Sequence, residues 1–140
     1  LDHYGIDCKG KKAVVIGRSL VVGKPAAMML MQKNATVTIC HTRTVDPAAV
    51  CREADIIISA AGVLNSLTKD FVREGQIVID VSMNWNPEKI TAKGKGGMCG
   101  DAIFDEVEPI VEAITPVPGG VGAVTTSVLM KHVVEAAEKA

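Results

Sequence analysis

The chain has 140 residues, 48% of them from the hydrophobic set and 22% charged, the makeup of one ordinary folded domain rather than of a disordered or low-complexity segment. Fifteen basic residues stand against sixteen acidic ones, so the basic field that phosphate-backbone binding relies on is missing and nucleic acid is not expected as a partner. No apolar run reaches the roughly 18–20 residues that cross a bilayer and no secretory leader is visible, so a soluble, cytoplasmic protein with no membrane partner is expected.

In chain order, Leu1 to Gly5 reads as the end of a helix closed by its glycine, and with no initiator Met the chain is expected to be a fragment of something longer. Ala13-Val14-Val15-Ile16 has high β-branched content and no polar alternation, which suggests a parallel strand buried on both faces. A glycine loop and a helix over Ala26 to Gln32 follow, with Pro25 in the first turn. Thr36 to Cys40 then supplies a second strand and closes a βαβ unit. The pattern repeats with a weak helix from Pro47 to Glu53, a strand from Asp55 to Ala60, a helical turn near Thr68 to Arg73 and a strand from Gln76 to Val81. Asn84 to Gly97 reads as an exposed loop or hairpin, Ile103 to Val111 as a short helix broken near Pro109, and Ala123 to Lys139 as the longest helix. Its Val124, Val128, Leu129 and Val133 form an apolar stripe at helical spacing. Cys8, Cys40, Cys51 and Cys99 lack CxxC spacing and are expected to be reduced, buried thiols.

Strands alternating with helices predict one α/β domain over residues 1–140, a doubly wound, mostly parallel sheet of the Rossmann-like type, whose ligands lie where loops leave the carboxyl ends of the strands. Those loops are Gly17 to Gly23, Cys40 to Thr44, Ala60 to Leu64, which holds the candidates Ala61 and Gly62, and Val81 to Trp85. The first keeps the outer glycines of a G-x-G-x-x-G fingerprint, with Ser19 in the middle place. Gly17 permits a tight turn, Ser19 offers a hydroxyl and an amide, and the helix after Gly23 aims its N-terminus at an anionic pyrophosphate. A plain strand-to-helix turn is the alternative.

NAD-selective proteins carry an acid at the end of the second strand, where it bonds the adenosine ribose. Here the end reads Cys40-His41-Thr42-Arg43-Thr44, with no acid, whereas Arg18, Arg43, His41 and the Thr42 hydroxyl suit a phosphate on the 2′ oxygen. NADP is therefore the expected cofactor, with solvated surface roles for His41 and Arg43 as the alternative. Thr115-Pro116-Val117-Pro118-Gly119-Gly120-Val121-Gly122 is a stiff approach followed by bare backbone, suited to lining a ligand or to a mere connecting turn. No carboxylate pair, nucleophile triad or metal-spaced cluster is visible, so neither a catalytic residue nor a metal ligand is assigned. Asp80 and Asp101 are read as structural acids.

Val15 to Ser19, Val22 to Pro25 and Thr115 to Gly122 resemble the two signatures of the methylenetetrahydrofolate dehydrogenase/cyclohydrolase family, and Asn34 to Thr38, Cys40-His41, Glu74-Gly75, Val78 to Val81 and Gly100-Asp101 extend the resemblance along the chain. The family implies oxidation of 5,10-methylenetetrahydrofolate with NADP and hydrolysis of the methenyl product to 10-formyltetrahydrofolate. Carried over, Gly17, Arg18 and Ser19, with Gly23 and Pro25 in the same signature, hold the cofactor phosphates. Thr42 with Arg18 takes the 2′-phosphate beside His41, and Met83 lies by the nicotinamide. Pro118, Gly119, Gly120, Val121, Gly122 and Thr125 border the tetrahydrofolate substrate.

The resemblance also implies a homodimer, formed through an exposed edge strand, and an N-terminal folate domain that supplies the catalytic lysine and whose motifs are not in this sequence. The chain alone is thus expected to bind cofactor without turnover. Two departures fall near the ligands: relatives usually have glycine where Ser82 stands, and Pro-Met after the last glycine where Ala123-Val124 stands. The competing reading is a non-catalytic nucleotide-binding or interaction module that kept the fold.

Overall fold

The computed structural model describes residues 1–92 and 94–139. Five strands, β1 (Lys12–Ile16), β2 (Thr36–Cys40), β3 (Ile56–Ser59), β4 (Ile77–Asp80) and β7 (Ala113–Ile114), form one sheet in the order β2-β1-β3-β4-β7, with every pairing parallel. The remaining strands, β5 (Asn84–Thr91) and β6 (Gly94–Cys99), pair antiparallel as a separate hairpin. The stretch read as loop or hairpin is therefore a hairpin, with Lys93 outside the described residues. Helices α1 (Gly23–Gln32), α2 (Pro47–Arg52), α3 (Phe104–Val107) and α4 (Val121–Glu138) complete the chain, with short 3-10 turns at Asp2–Tyr4 and Lys69–Phe71. The first of these ends on Gly5 in the left-handed region, as a closing glycine requires.

Strand residues alternate between the two faces of a sheet, and here both faces are covered. Ala13, Val15, Ile56 and Ile58 pack with Ala27 and Leu30 of α1, whereas Val14, Ile57 and Val78 pack with Cys51 of α2, Val107 of α3, Leu67 and Val72. This is the doubly wound architecture, and it explains why the strands read as unbroken apolar runs. All four residues of β3 are buried, and burying each of its isoleucines contributes roughly 2 kcal/mol.

Cys8, Cys40 and Cys51 are buried free thiols, while Cys99 is half-exposed. Burial pushes the Cys51 thiol up to about 12 and raises that of Cys40 as well.

Two features differ from expectation. Strand β7 went unread, because two residues carry no periodicity. Helix α4 forms but starts at Val121 rather than Ala123, and none of its residues is buried: Leu129 is 62% exposed and Val124 61%. Its apolar stripe is therefore not part of this core. Among the described residues, no helix is long and apolar enough to cross a membrane.

Candidate functional site

Parallel pairing brings the strand ends into register, so that Cys40, Ile16, Ser59 and Asp80 stand side by side across four strands. The four loops singled out in the sequence consequently leave the same edge of the sheet. Gly17 joins the first to the third. Its φ is +118°, and a Cβ there would lie 2.3 Å from the carbonyl oxygen of Ala60. Gly23 is closed in the same way, with a Cβ position 2.4 Å from the carbonyl oxygen of Gly17. Only residues without a Cβ let the loop fold this tightly on itself and on β3.

The serine between them organises the turn. Ser19 Oγ accepts hydrogen bonds from the amides of Val22 at 3.1 Å and Gly23 at 3.2 Å, and the Ser19 carbonyl accepts from Lys24 at 3.0 Å. The first turn of α1 is thereby satisfied internally, since Pro25 has no N–H and Ala26 bonds to Val22. The donors left without a partner among the described residues are the amides of Arg18, Ser19, Leu20 and Val21. They lie in the loop rather than in the helix expected to present them. Both acceptor positions of the Ser19 hydroxyl are used, which leaves its proton to donate outward. A run of free amides beside an exposed arginine is chemically suited to an anion.

At the end of β2 the backbone forms a tight turn. The amide of His41 donates to Thr44 Oγ1 at 2.9 Å, and that of Thr44 returns to the His41 carbonyl at 2.8 Å. The Arg43 amide donates to His41 Nδ1 at 3.2 Å, so the imidazole is tied into the turn through one nitrogen and keeps Nε2 for a ligand. Thr42 and Arg43 are exposed, and neither Arg43 nor Arg18 makes an ion pair among the described residues. The Gly17 amide donates to the Cys40 carbonyl at 2.8 Å, which holds this turn next to the glycine loop.

Below the loops after β3 and β4 lies a carboxyl group that the sequence marks only as an acid following a glycine. Asp101 is fully buried. Its Oδ2 accepts from Ser82 Oγ at 2.7 Å, Ala61 N at 2.9 Å, Ser59 Oγ at 3.0 Å and Gly62 N at 3.2 Å, and its Oδ1 from Val63 N at 2.8 Å and Asn84 Nδ2 at 3.0 Å. Asp80 is buried beside it and accepts from the amides of Ala102 at 2.8 Å and Ser82 at 3.0 Å. Burial pushes the Asp80 carboxyl above its ordinary range, and those amides only partly offset the effect. Both acids are buried and hydrogen-bonded within the fold, and the sequence offered no means of seeing that Asp101 gathers donors from two distant stretches, 59–63 and 82–84.

The proline-glycine segment closes the site. Thr115 bonds β4 through its side chain, accepting from Asp80 N at 2.9 Å, and Val117-Pro118 is a cis peptide. Pro118 and Gly119 are exposed. Val121, Gly122 and Thr125, expected in or just after the loop, lie on the first turns of α4, where Thr125 Oγ1 donates to the Val121 carbonyl at 3.1 Å. Between this segment and the end of β4 is a cavity of about 190 Å³, lined by Asp80, Ser82, Met83, Met98, Pro118 and Gly120 among others. A wider cleft of about 610 Å³ continues past Pro116 to Pro118 toward Phe104 and the hairpin. Met83 is 74% exposed at the mouth of the smaller cavity. The residues read from the sequence thus occupy one edge of the sheet, the cofactor candidates on the β1 to β4 loops and the substrate candidates on the opposing segment.

Comparison with known proteins agrees with this arrangement. The family described as tetrahydrofolate dehydrogenase/cyclohydrolase, NAD(P)-binding domain, matches residues 1–140. The bifunctional protein FolD of Carboxydothermus hydrogenoformans is 56% identical over 138 residues, covering 99% of this chain and 46% of that protein. A crystal structure of the bifunctional FolD methylenetetrahydrofolate dehydrogenase/cyclohydrolase from Campylobacter jejuni superposes with a TM-score of 0.86 at 45% identity, over 99% of this chain and 46% of that one. The corresponding Trypanosoma brucei enzyme, complexed with NADP cofactor and inhibitor, does so with a TM-score of 0.85 at 37% identity, over 95% of this chain and 45% of that one. This chain spans about half the length of the relatives it matches. With its glycine loop, its proline-glycine segment and its parallel sheet all accounted for, the chain belongs to the tetrahydrofolate dehydrogenase/cyclohydrolase family, as an NAD(P)-binding domain.

Proposed function

We propose that this chain is the NADP-binding half of a cytoplasmic bifunctional enzyme that oxidises 5,10-methylenetetrahydrofolate to the 5,10-methenyl form and hydrolyses that to 10-formyltetrahydrofolate. The observation that carries the reading is the set of unpaired amides at Arg18 to Val21, next to an unpaired guanidinium and across from a β2 end that has no acid. Bound there, NADP supplies the nicotinamide ring that accepts a hydride from the one-carbon bridge.

The chain's own residues bind and orient. The loop amides and the Ser19 hydroxyl hold the diphosphate, while Gly17 and Gly23 keep that loop shallow. Arg18 and Thr42 hold the 2′-phosphate, with His41 and Arg43 beside them. Ala61 and Gly62 border the cofactor and Met83 shields the nicotinamide end. Pro118, Gly119, Gly120, Val121, Gly122 and Thr125 form the wall against the folate.

The wall from Pro118 to Gly122 carries no titratable side chain, the acid that lines the same cavity being the buried Asp80 at the end of β4, and the catalytic groups are assigned to the companion domain, the part of the relatives that this chain does not span. The same domain is the partner inferred for the exposed face of α4, whose Val124, Val128, Leu129 and Val133 have no cover here. Self-association through the open edge at β2 completes the reading.

Calorimetric titration of the chain with NADP and with NAD tests the proposal. NADP should bind more tightly, and Arg18→Ala should weaken NADP by about 10- to 100-fold, the loss of a charge-assisted contact, while leaving NAD within a factor of about two. Equal affinities, unmoved by Arg18→Ala, would reject the 2′-phosphate assignment.

A further inference from the structure

A buried carboxyl group that never reaches the surface nevertheless touches every loop on one side of the candidate cofactor site. Asp101 takes donors from the end of β3 (Ser59), from the loop after it (Ala61, Gly62, Val63), from the loop after β4 (Ser82) and from the start of the hairpin (Asn84). Ser82 adds a cross-link. Its hydroxyl donates to Asp101 Oδ2 at 2.7 Å and accepts from the Gly62 amide at 3.2 Å, so the two loops are tied to each other as well as to the carboxylate.

We propose that Asp101, with Ser82 as its latch, is a positioning residue that sets the placement of the Ala60 to Val63 and Ser82 to Asn84 loops against the cofactor. The inference rests on the preceding reading, that these loops hold the cofactor. Two features separate it from a general packing role. All of the groups facing both oxygens are donors, and the backbone amides among them cannot reverse, so only a group that accepts on both atoms satisfies the site. An asparagine of the same shape directs an N–H either at Val63 N or at Ala61 N and Gly62 N, and one side of the loop must then shift.

The second feature is an internal control. Gln76 is equally buried but lies just before β4, at the far end from the loops. It accepts from Arg73 N at 2.7 Å and donates to the carbonyls of Ala54 at 2.7 Å and Cys51 at 2.8 Å. Removing it is expected to damage the fold without touching the candidate site.

The experiment compares wild type, Asp101→Asn, Ser82→Ala and Gln76→Ala of the 140-residue chain by NADP calorimetry and thermal midpoint. Asp101→Asn should weaken NADP about tenfold or more and Ser82→Ala about threefold, while Gln76→Ala, with a comparable or larger fall in midpoint, should stay within about twofold. Should Asp101→Asn not fold, Ser82→Ala against Gln76→Ala decides the matter by the same criterion. Unchanged affinity in the two loop variants, or an equal loss in Gln76→Ala, would overturn the proposal.

If wild type binds no NADP, the functional reading fails and hydrogen exchange judges the clamp by itself. Amides of Ala61, Gly62 and Val63 that exchange at least about tenfold faster in Ser82→Ala, with β3 amides unchanged, would uphold it. Unaltered exchange at those three amides would end it.

Discussion

The loop after β1 and the loops after β3 and β4 leave the same edge of one sheet, yet their backbones are finished in opposite ways. The first leaves the amides of Arg18 to Val21 unpaired at the surface, whereas the loop after β3 delivers those of Ala61, Gly62 and Val63 to a buried carboxylate, which the loop after β4 reaches through the side chains of Ser82 and Asn84. The acceptor explains the difference. Water can serve a surface amide, so leaving it unpaired costs little, while a fully buried carboxylate must find its donors within the protein, and the loop after β3 supplies them although Gly62 and Val63 are themselves exposed. One loop keeps unpaired donors at the surface and the others are held in shape by a buried acceptor.

Breaking the junction between them should have the largest effect. Gly17→Ala places a Cβ 2.3 Å from the Ala60 carbonyl oxygen at a positive φ, and urea unfolding should show a loss of about 3 kcal/mol. A loss below about 1 kcal/mol would mean that the two loops separate easily and do not constrain each other. The effect of Asp101→Asn on affinity comes next, as set out above.

Asp80 sharpens the contrast through pH. Burial raises its pKa in the folded protein, so over the interval above 3.8 the folded state keeps a proton that the unfolded chain has released. Its stabilising contribution is whole below 3.8 and fades as pH rises through the folded value. Asp80→Asn has no such slope. The deficit of the variant in thermal midpoint, measured against wild type, should therefore shrink as pH is raised from about 4 to about 7. A deficit that grows over that range would show that the Ala102 and Ser82 amides outweigh burial.

The smallest effect is expected on α4. Leu129→Lys should change the stability of this chain by no more than about 0.5 kcal/mol, because the side chain is already 62% exposed. A loss above about 2 kcal/mol would mean that the helix packs on this domain in solution.

Much of this was legible in the sequence, for reasons particular to each element. β1 and β3 announced themselves because a strand buried on both faces reads as an unbroken apolar run rich in β-branched residues, and Val14 to Ile16 and Ile56 to Ile58 supply it. The glycine loop was legible because tight backbone approach admits few residues. The Asp101 cluster was not, since Ser59 and Ala61, Ser82 and Asn84, and Asp101 itself lie on stretches far apart in the sequence that meet only after the sheet forms. Nor was the exposure of α4, because periodicity reports that a helix has an apolar face and is silent about what covers it. For the glycine loop, the sequence offered both the Ser19 amide and the N-terminus of the following helix as donors. It could not show that Ser19 would consume the first-turn amides of α1 itself.

The arrangement of the main sheet also governs how the chain acquires its shape. Each of its neighbouring strands is parallel, so none can be joined by a tight reversal, and every pairing must first close a long excursion through a crossover. β1, the first strand synthesised here, ends between β2 and β3 and gains its second neighbour only after α2 has been made. Domains dominated by such distant pairings fold slowly, and the β5–β6 hairpin, whose contacts are local, is free to form well ahead of the sheet on which the binding edge depends.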